Sequence, residues 1–248
     1  VKSKLLKFLS MVLLVSTLVS INLPLTYADS VQSAPVKSTV YGTTYVYRSV
    51  LSIGGGASAW TLVTTNSGDP VPMGYMGVQG RLYNSENSLI RSTDWKYTTK
   101  STSGIQVQTD YLSASGNYYS YGAVDLYNGN GYTRSYAYKT SIGTQSIGGS
   151  SYDVNENGET YGSGVMAAKT GVDPDLIASV GIDGTSGYVR SEDLNSNHAS
   201  TPEEALKIQQ EIGEQVSKII PLYDKDGKTI VGKFVIDAGE VEQGTIEK

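Results

Sequence analysis

The stretch GNYYSYGAVDLYNGNGY, residues 116–132, carries Tyr118, Tyr119, Tyr121, Tyr127 and Tyr132 in a chain of 248 residues with only two Phe and two Trp. Its NGNG segment is a tight-turn signal, because Asn and Gly tolerate the positive φ that two-residue hairpin turns demand. The spacing therefore predicts two strands, 118–127 and 132–139, folded back on one another. Any two-residue turn within Asn128–Gly131 leaves the side-chain parity unchanged. One face then holds Tyr119, Tyr121, Asp125, Tyr127, Tyr132, Arg134, Tyr136 and Tyr138. The other holds Val124, Leu126 and Ala137 as a modest core face. Asp125 and Arg134 fall opposite each other on the tyrosine face, and charges favour the solvent side of a half-exposed sheet. The expectation is a water-facing platform of Tyr119, Tyr121, Tyr127, Tyr132, Arg134, Tyr136 and Tyr138, suited to stacking on sugars or gripping another protein. The competing reading makes the rings one side of a core, since Tyr is a favoured strand residue.

Outward from this hairpin, residues 39–144 are rich in Tyr, Thr, Ser, Gly and Val. Turn punctuation recurs at GGGAS, NSGDP, NSENS, STSG, SASGN and NGNG, the spacing of a β-sandwich or barrel. In YMGVQGRLY, Met76, Val78, Gly80 and Leu82 alternate with Tyr75, Gln79, Arg81 and Tyr83, and in LIRSTDWKY, Leu89, Trp95 and Tyr97 oppose Ser92, Asp94 and Lys96, as in half-buried strands. The fold class expected is mainly β: a β-sandwich-like or barrel domain at 39–144, a Gly/Ser linker at 145–152, and a small α+β module at 153–237. Residues 29–38 precede this unit and 238–248 form a tail.

The module reads as hairpin, helix, hairpin. Asp183-Gly184 and Asp226-Gly227 mark the two turns. Thr201, Pro202 and Glu204 form a capping box at a helix start, and Ala205, Ile208, Ile212, Val216 and Ile219 recur at helical spacing beyond it. The elements GETYGS, PDLIASVGIDGTSGYVRSEDL, TPEEA and IPLYDKDGKTIVGKFVI, about 158–236, resemble a C-terminal module of uncharacterised exported proteins from Gram-positive, Bacillus-like bacteria. Some of those relatives are labelled as members of the peptidase-like β-lactam sensor family. That label implies a zinc peptidase with a paired-histidine helix. This sequence has no such helix, so the resemblance implies location and architecture and carries no activity.

At the other end, Lys2, Lys4 and Lys7 precede an apolar run to Leu25 and the small-residue spacing Thr26-Tyr27-Ala28, which reads as a secretory signal peptide over 1–28. Ser10, Ser16, Ser20, Asn22 and Pro24 dilute the run as a membrane anchor. Removing it takes the net charge from −5 to about −8, which argues against nucleic acid and anionic membranes as partners. The chain has no cysteine, so a secreted form relies on its core alone.

Catalytic motifs are sparse. The single His198 lies in NSNHASTP and reads as a solvated loop histidine ahead of the helix cap. No nucleophile elbow is present, and zinc catalysis needs more histidines than one. A glycosidase needs only two carboxylates, for which Asp69, Glu86, Asp94, Asp110 and Asp125 are the candidates in the β half. Asp153, Asn155 and Asn157 match the first half of a calcium loop, but Gly164 stands where its bidentate Glu belongs. No cofactor is expected. The sequence points to a secreted, non-enzymatic binding protein whose partner is a cell-wall glycan or an extracellular protein. A secreted antibacterial factor and a carboxylate-dependent envelope hydrolase are the alternatives.

Overall fold

The computed structural model describes residues 29–54, 56–140, 151–212 and 217–246. Strand accounts for 48% and helix for 11%, so the chain is mainly β. The expected signal peptide and most of the expected linker lie outside the described residues.

Three layers build the molecule. The first is a six-stranded sheet in which Thr43–Ile53 and Ala57–Thr65 form a long hairpin flanked by Asp29–Gln32, Val36–Val40, Gly104–Gln108 and Glu240–Gln243. The second is a four-stranded sheet in the order Tyr132–Tyr136, Ala123–Tyr127, Met76–Gln79, Lys96–Tyr97. The third is a closed barrel of Leu89–Thr93, Ile230–Asp237, Lys218–Tyr223, Ser186–Arg190 and Leu176–Val180, closed where Ser179 pairs with Leu89. Arg81–Asn84 and Tyr118–Ser120 extend it on one side, Asp153–Val154 and Thr160–Gly162 on the other.

The four-stranded sheet lies between two cores. Val124, Leu126, Met76 and Val78 pack with Tyr45, Tyr47, Val63, Ile105 and Val107 of the first layer. On the opposite face Tyr97, Tyr121, Ala123 and Tyr136 join Ile177, Val189, Leu222, Phe234 and Ile236 of the barrel, with Leu194, Ala199 and Ala205 from the segment around the helix Pro202–Ile212. A sheet covered on both sides needs apolar or paired side chains on both, which is where the hydroxylated rings go.

The hairpins at 176–190 and 218–237 form as expected, and the hairpin register pairs Asp125 with Arg134. Four features differ from the expectation. First, the strand predicted over 118–127 is broken at Gly122, where a Cβ would lie 1.6 Å from Thr61 Oγ1; the backbone crosses between sheets there, in contact that only glycine permits. Second, the described helix ends at Ile212, and Ile219 sits instead in the strand Lys218–Tyr223, 60% exposed. Its apolar spacing fits a strand's outward face as well as a helix stripe. Third, the expected tail contains Glu240–Gln243, which pairs with Gly104–Gln108. Fourth, the N-terminal segment supplies two strands of the first layer, and the expected β domain and α+β module share the barrel and a core. At the helix start Thr201 accepts from the Glu204 amide as predicted, while the Glu204 carboxylate reaches back one residue further than expected, to Ser200 N.

Candidate functional site

The platform expected to face water is not formed as one surface. Tyr119, Tyr121 and Tyr136 are buried at 8%, 2% and 9% exposure, because the barrel and its flanking loops cover them. Tyr127, Tyr132 and Arg134 are half-buried, and Tyr138 is exposed. Tyr121 stacks on Tyr136 and Tyr83 on Tyr119, so part of the face is an aromatic core.

Where the same face emerges from under the barrel, Asp125 organises a polar centre. Its strand partner Arg134 donates from Nε to Oδ1 at 3.0 Å and from Nη2 to Oδ2 at 3.1 Å. Tyr97 donates its hydroxyl to Oδ2 at 3.1 Å, and His198 Nε2 lies 2.9 Å from the same oxygen. Tyr97 reaches it because the neighbouring strand carries Gly77, where a Cβ would come within 2.5 Å of the ring. Burial pushes the Asp125 carboxyl upward, but the His198 hydrogen bond and the Arg134 guanidinium outweigh that and hold it below the ordinary carboxylate range.

His198 is thus the residue that sequence reasoning misplaced. The loop that holds it is locked from several sides. Asn195 accepts from Trp95 Nε1 at 2.9 Å and donates to the Ser191 carbonyl at 2.7 Å. The Ala199 amide donates to the Tyr97 hydroxyl at 3.1 Å, and the His198 amide to the Asn195 carbonyl at 2.9 Å. Arg134 lies over the Trp95 ring at 4.3 Å, a geometry that favours the guanidinium further.

Over this centre opens a pocket of about 290 Å³, walled by Tyr132, Arg134, Tyr136, Asp173, Ser191 and His198 with Asp125 at its base. Asp173 is held by Arg81, which donates to its two oxygens at 2.9 and 2.7 Å from a fully buried position. Both pocket carboxylates are therefore committed to guanidinium partners, and the formal charge of the lining nearly cancels. The Tyr136 hydroxyl is buried and has no hydrogen-bond partner among the described residues. The His198 side chain is 35% exposed. The pocket accordingly offers donors and aromatic walls, with its two carboxylates balanced by Arg134 in the lining and Arg81 behind it.

The other candidates are used in turns and ion pairs. Asn155 Oδ1 accepts from the amides of Asn157 and Glu159, its Nδ2 donates to the Lys225 carbonyl, and Asn157 Oδ1 accepts from Lys228. Asp153 lies in a short exposed strand. Among the described residues no three His, Asp or Glu side chains meet as a metal would require, and no helix is long and apolar enough to cross a membrane. Comparison of the chain with family models, curated proteins and solved structures finds no match.

Proposed function

We propose that this chain is an exported, non-enzymatic binding protein of the cell envelope, and that the pocket above Asp125 holds one unit of a cell-wall glycan. The observation that carries this reading is the pocket itself, in which Arg134 and the 35% exposed side chain of His198 stand beside the rings of Tyr132 and Tyr136. Polar groups set beside ring faces suit a sugar unit, which is apolar on its faces and hydroxylated at its rim. Arg134 and His198 add donors at the mouth, and Tyr132 supplies a ring face. A pocket of this size lies at the small end for ligand sites, which suits a single sugar ring. The apolar run before Ala28 and the resemblance of residues 158–236 to a module of exported proteins support the location.

The test is retention of the chain from Asp29 onward on purified cell walls at low and high salt, with Tyr132→Leu as control. Tyr132→Leu keeps apolar bulk at a half-buried position while removing the ring, so its melting temperature is expected to stay within several degrees of the parent. Salt-resistant retention that Tyr132→Leu abolishes supports the pocket; equal retention of both proteins removes it as the site.

One arrangement favours a second reading. Asp125 orients His198 and Ser191 lines the same pocket, so His198 has the support expected of a general base. On this reading labelled wall material is solubilised and His198→Ala stops the release. The carboxylate-pair version has less support, because Arg134 and Arg81 occupy the two carboxylates.

A further inference from the structure

From Tyr132 in the pocket wall a chain of aromatic contacts runs outward beyond the pocket. Tyr132 lies 6.4 Å from His198 and 6.1 Å from its cross-strand partner Tyr127, centroid to centroid. Tyr127 in turn contacts Tyr75 at 4.7 Å and Tyr41 at 5.6 Å. The anchoring is specific. The Tyr127 amide donates to the Tyr75 carbonyl at 3.0 Å, and the Tyr132 hydroxyl donates to the Gly74 carbonyl.

Tyr41 is the unusual member. With Gly42 it forms the two-residue turn between Val36–Val40 and Thr43–Ile53, at a φ of 47°. Such turns favour Asn or Gly, and a bulky residue there is strained. The ring so placed is 64% exposed and rests against Gly129 of the NGNG loop, where a Cβ would lie 2.6 Å away. Strain together with exposure is the reverse of what stability alone selects.

We infer that Tyr41, Tyr127, Tyr75 and Tyr132 form an extended subsite along which a linear, uncharged glycan lies, with one unit seated in the pocket. This rests on the pocket reading and adds the length and charge of the ligand. Successive rings are turned by 73° and 70°, which excludes one flat stacked ligand and fits a chain that twists from unit to unit. Tyrosine rings offer an apolar face and a hydroxyl at little entropy cost. The charge follows from Glu203, at the start of the helix Pro202–Ile212, whose first residue packs on Gly74, the residue whose carbonyl accepts from Tyr132: a Cβ on Gly74 would lie 2.7 Å from the Pro202 Cβ. Burial first, then Tyr75 and Tyr41, then Glu203 raise the Tyr127 hydroxyl; burial, Asp125 and Glu203 raise that of Tyr132. A carboxylate beside the rings disfavours an anionic polymer.

The test is calorimetric titration of the chain from Asp29 with β-1,4-linked glucose and N-acetylglucosamine series of one, two and four units, and with a tetramer bearing uronic acids. The expected result is affinity rising about tenfold from monomer to neutral tetramer, the gain of one or two stacked rings, with weaker binding of the acidic tetramer. Tyr41→Asn suits the positive φ and removes the ring, so it is expected to flatten the length dependence while leaving monomer binding intact. Monomer binding without a length gain, or a gain that survives Tyr41→Asn, overturns the extended subsite and leaves the pocket standing. Tighter binding of the acidic tetramer overturns the charge argument. No binding by any member of either series overturns the pocket reading and the subsite with it.

Discussion

Asp125 shows how much one side chain can carry when its partners converge from distant parts of the chain. It is fully buried and satisfied by Arg134, Tyr97 and His198. Asp125→Asn leaves the guanidinium without its counter-charge, and breaking such a pair is expected to cost about 3 kcal/mol, measured as a shift in the urea midpoint. Asp237 behaves differently. Burial chiefly, with Asp110 adding, pushes its carboxyl from 3.8 up to about 6 despite the Arg91 pair. The folded state therefore keeps a proton that the unfolded chain gives up at lower pH. The stability from this group is full below pH 3.8 and is lost as pH rises through about 6. Other carboxylates titrate in the opposite sense, so the readout is the difference between parent and Asp237→Asn. That difference is expected to move by up to about 3 kcal/mol over this window, followed by urea unfolding at successive pH values.

At the scale of strands and turns, the tyrosine hairpin is held from both sides, so Tyr121→Ala with Tyr136→Ala is expected to unfold the protein at moderate temperature, since emptying a buried aromatic site costs about 3–5 kcal/mol. Circular dichroism melts read this directly, and a melting temperature within a few degrees of the parent would return the rings to the surface. Gly77→Ala drives a methyl into Tyr97 and is expected to cost about 1–3 kcal/mol and to disturb His198, visible as a shifted imidazole resonance. Much at this scale was legible beforehand. Asn-Gly and Asp-Gly turns are local chemistry, which is why the hairpins and the facing of Asp125 and Arg134 could be read from spacing alone. Which face meets water is not local. The cover over the tyrosines comes from the barrel and the segments around it, most of them beyond residue 150, and no periodicity within 118–139 records it. For the same reason His198, in a polar loop, gave no sign of the carboxylate it meets across 73 positions of chain, whereas the weight of tyrosine around residue 125 did mark the neighbourhood. Tyr41 was missed because it stands alone in its own turn, and Tyr75 because it read as one face of a strand with Gln79, Arg81 and Tyr83, whereas it stands just ahead of the strand Met76–Gln79.

Taken whole, the molecule is knit by pairings between remote segments. Leu89–Thr93 lies parallel to both Leu176–Val180 and Ile230–Asp237, and Glu240–Gln243 returns to the edge of the first sheet. The N-terminal half alone, ending at Thr140, is thus expected not to fold: its exposed core faces would give broad amide spectra and no cooperative melt, while the chain from Asp29 to Lys248 unfolds in one transition. A well-dispersed spectrum from the short fragment would contradict that. The closing strand also bears on time. A barrel that shuts only when residues near 236 reach residues near 92 must close a long loop before most of its contacts reward it, so folding is expected in the slow range typical of non-local β topologies. The barrel's final shape is therefore a property of all its strands together, fixed by the one made last rather than by those made first.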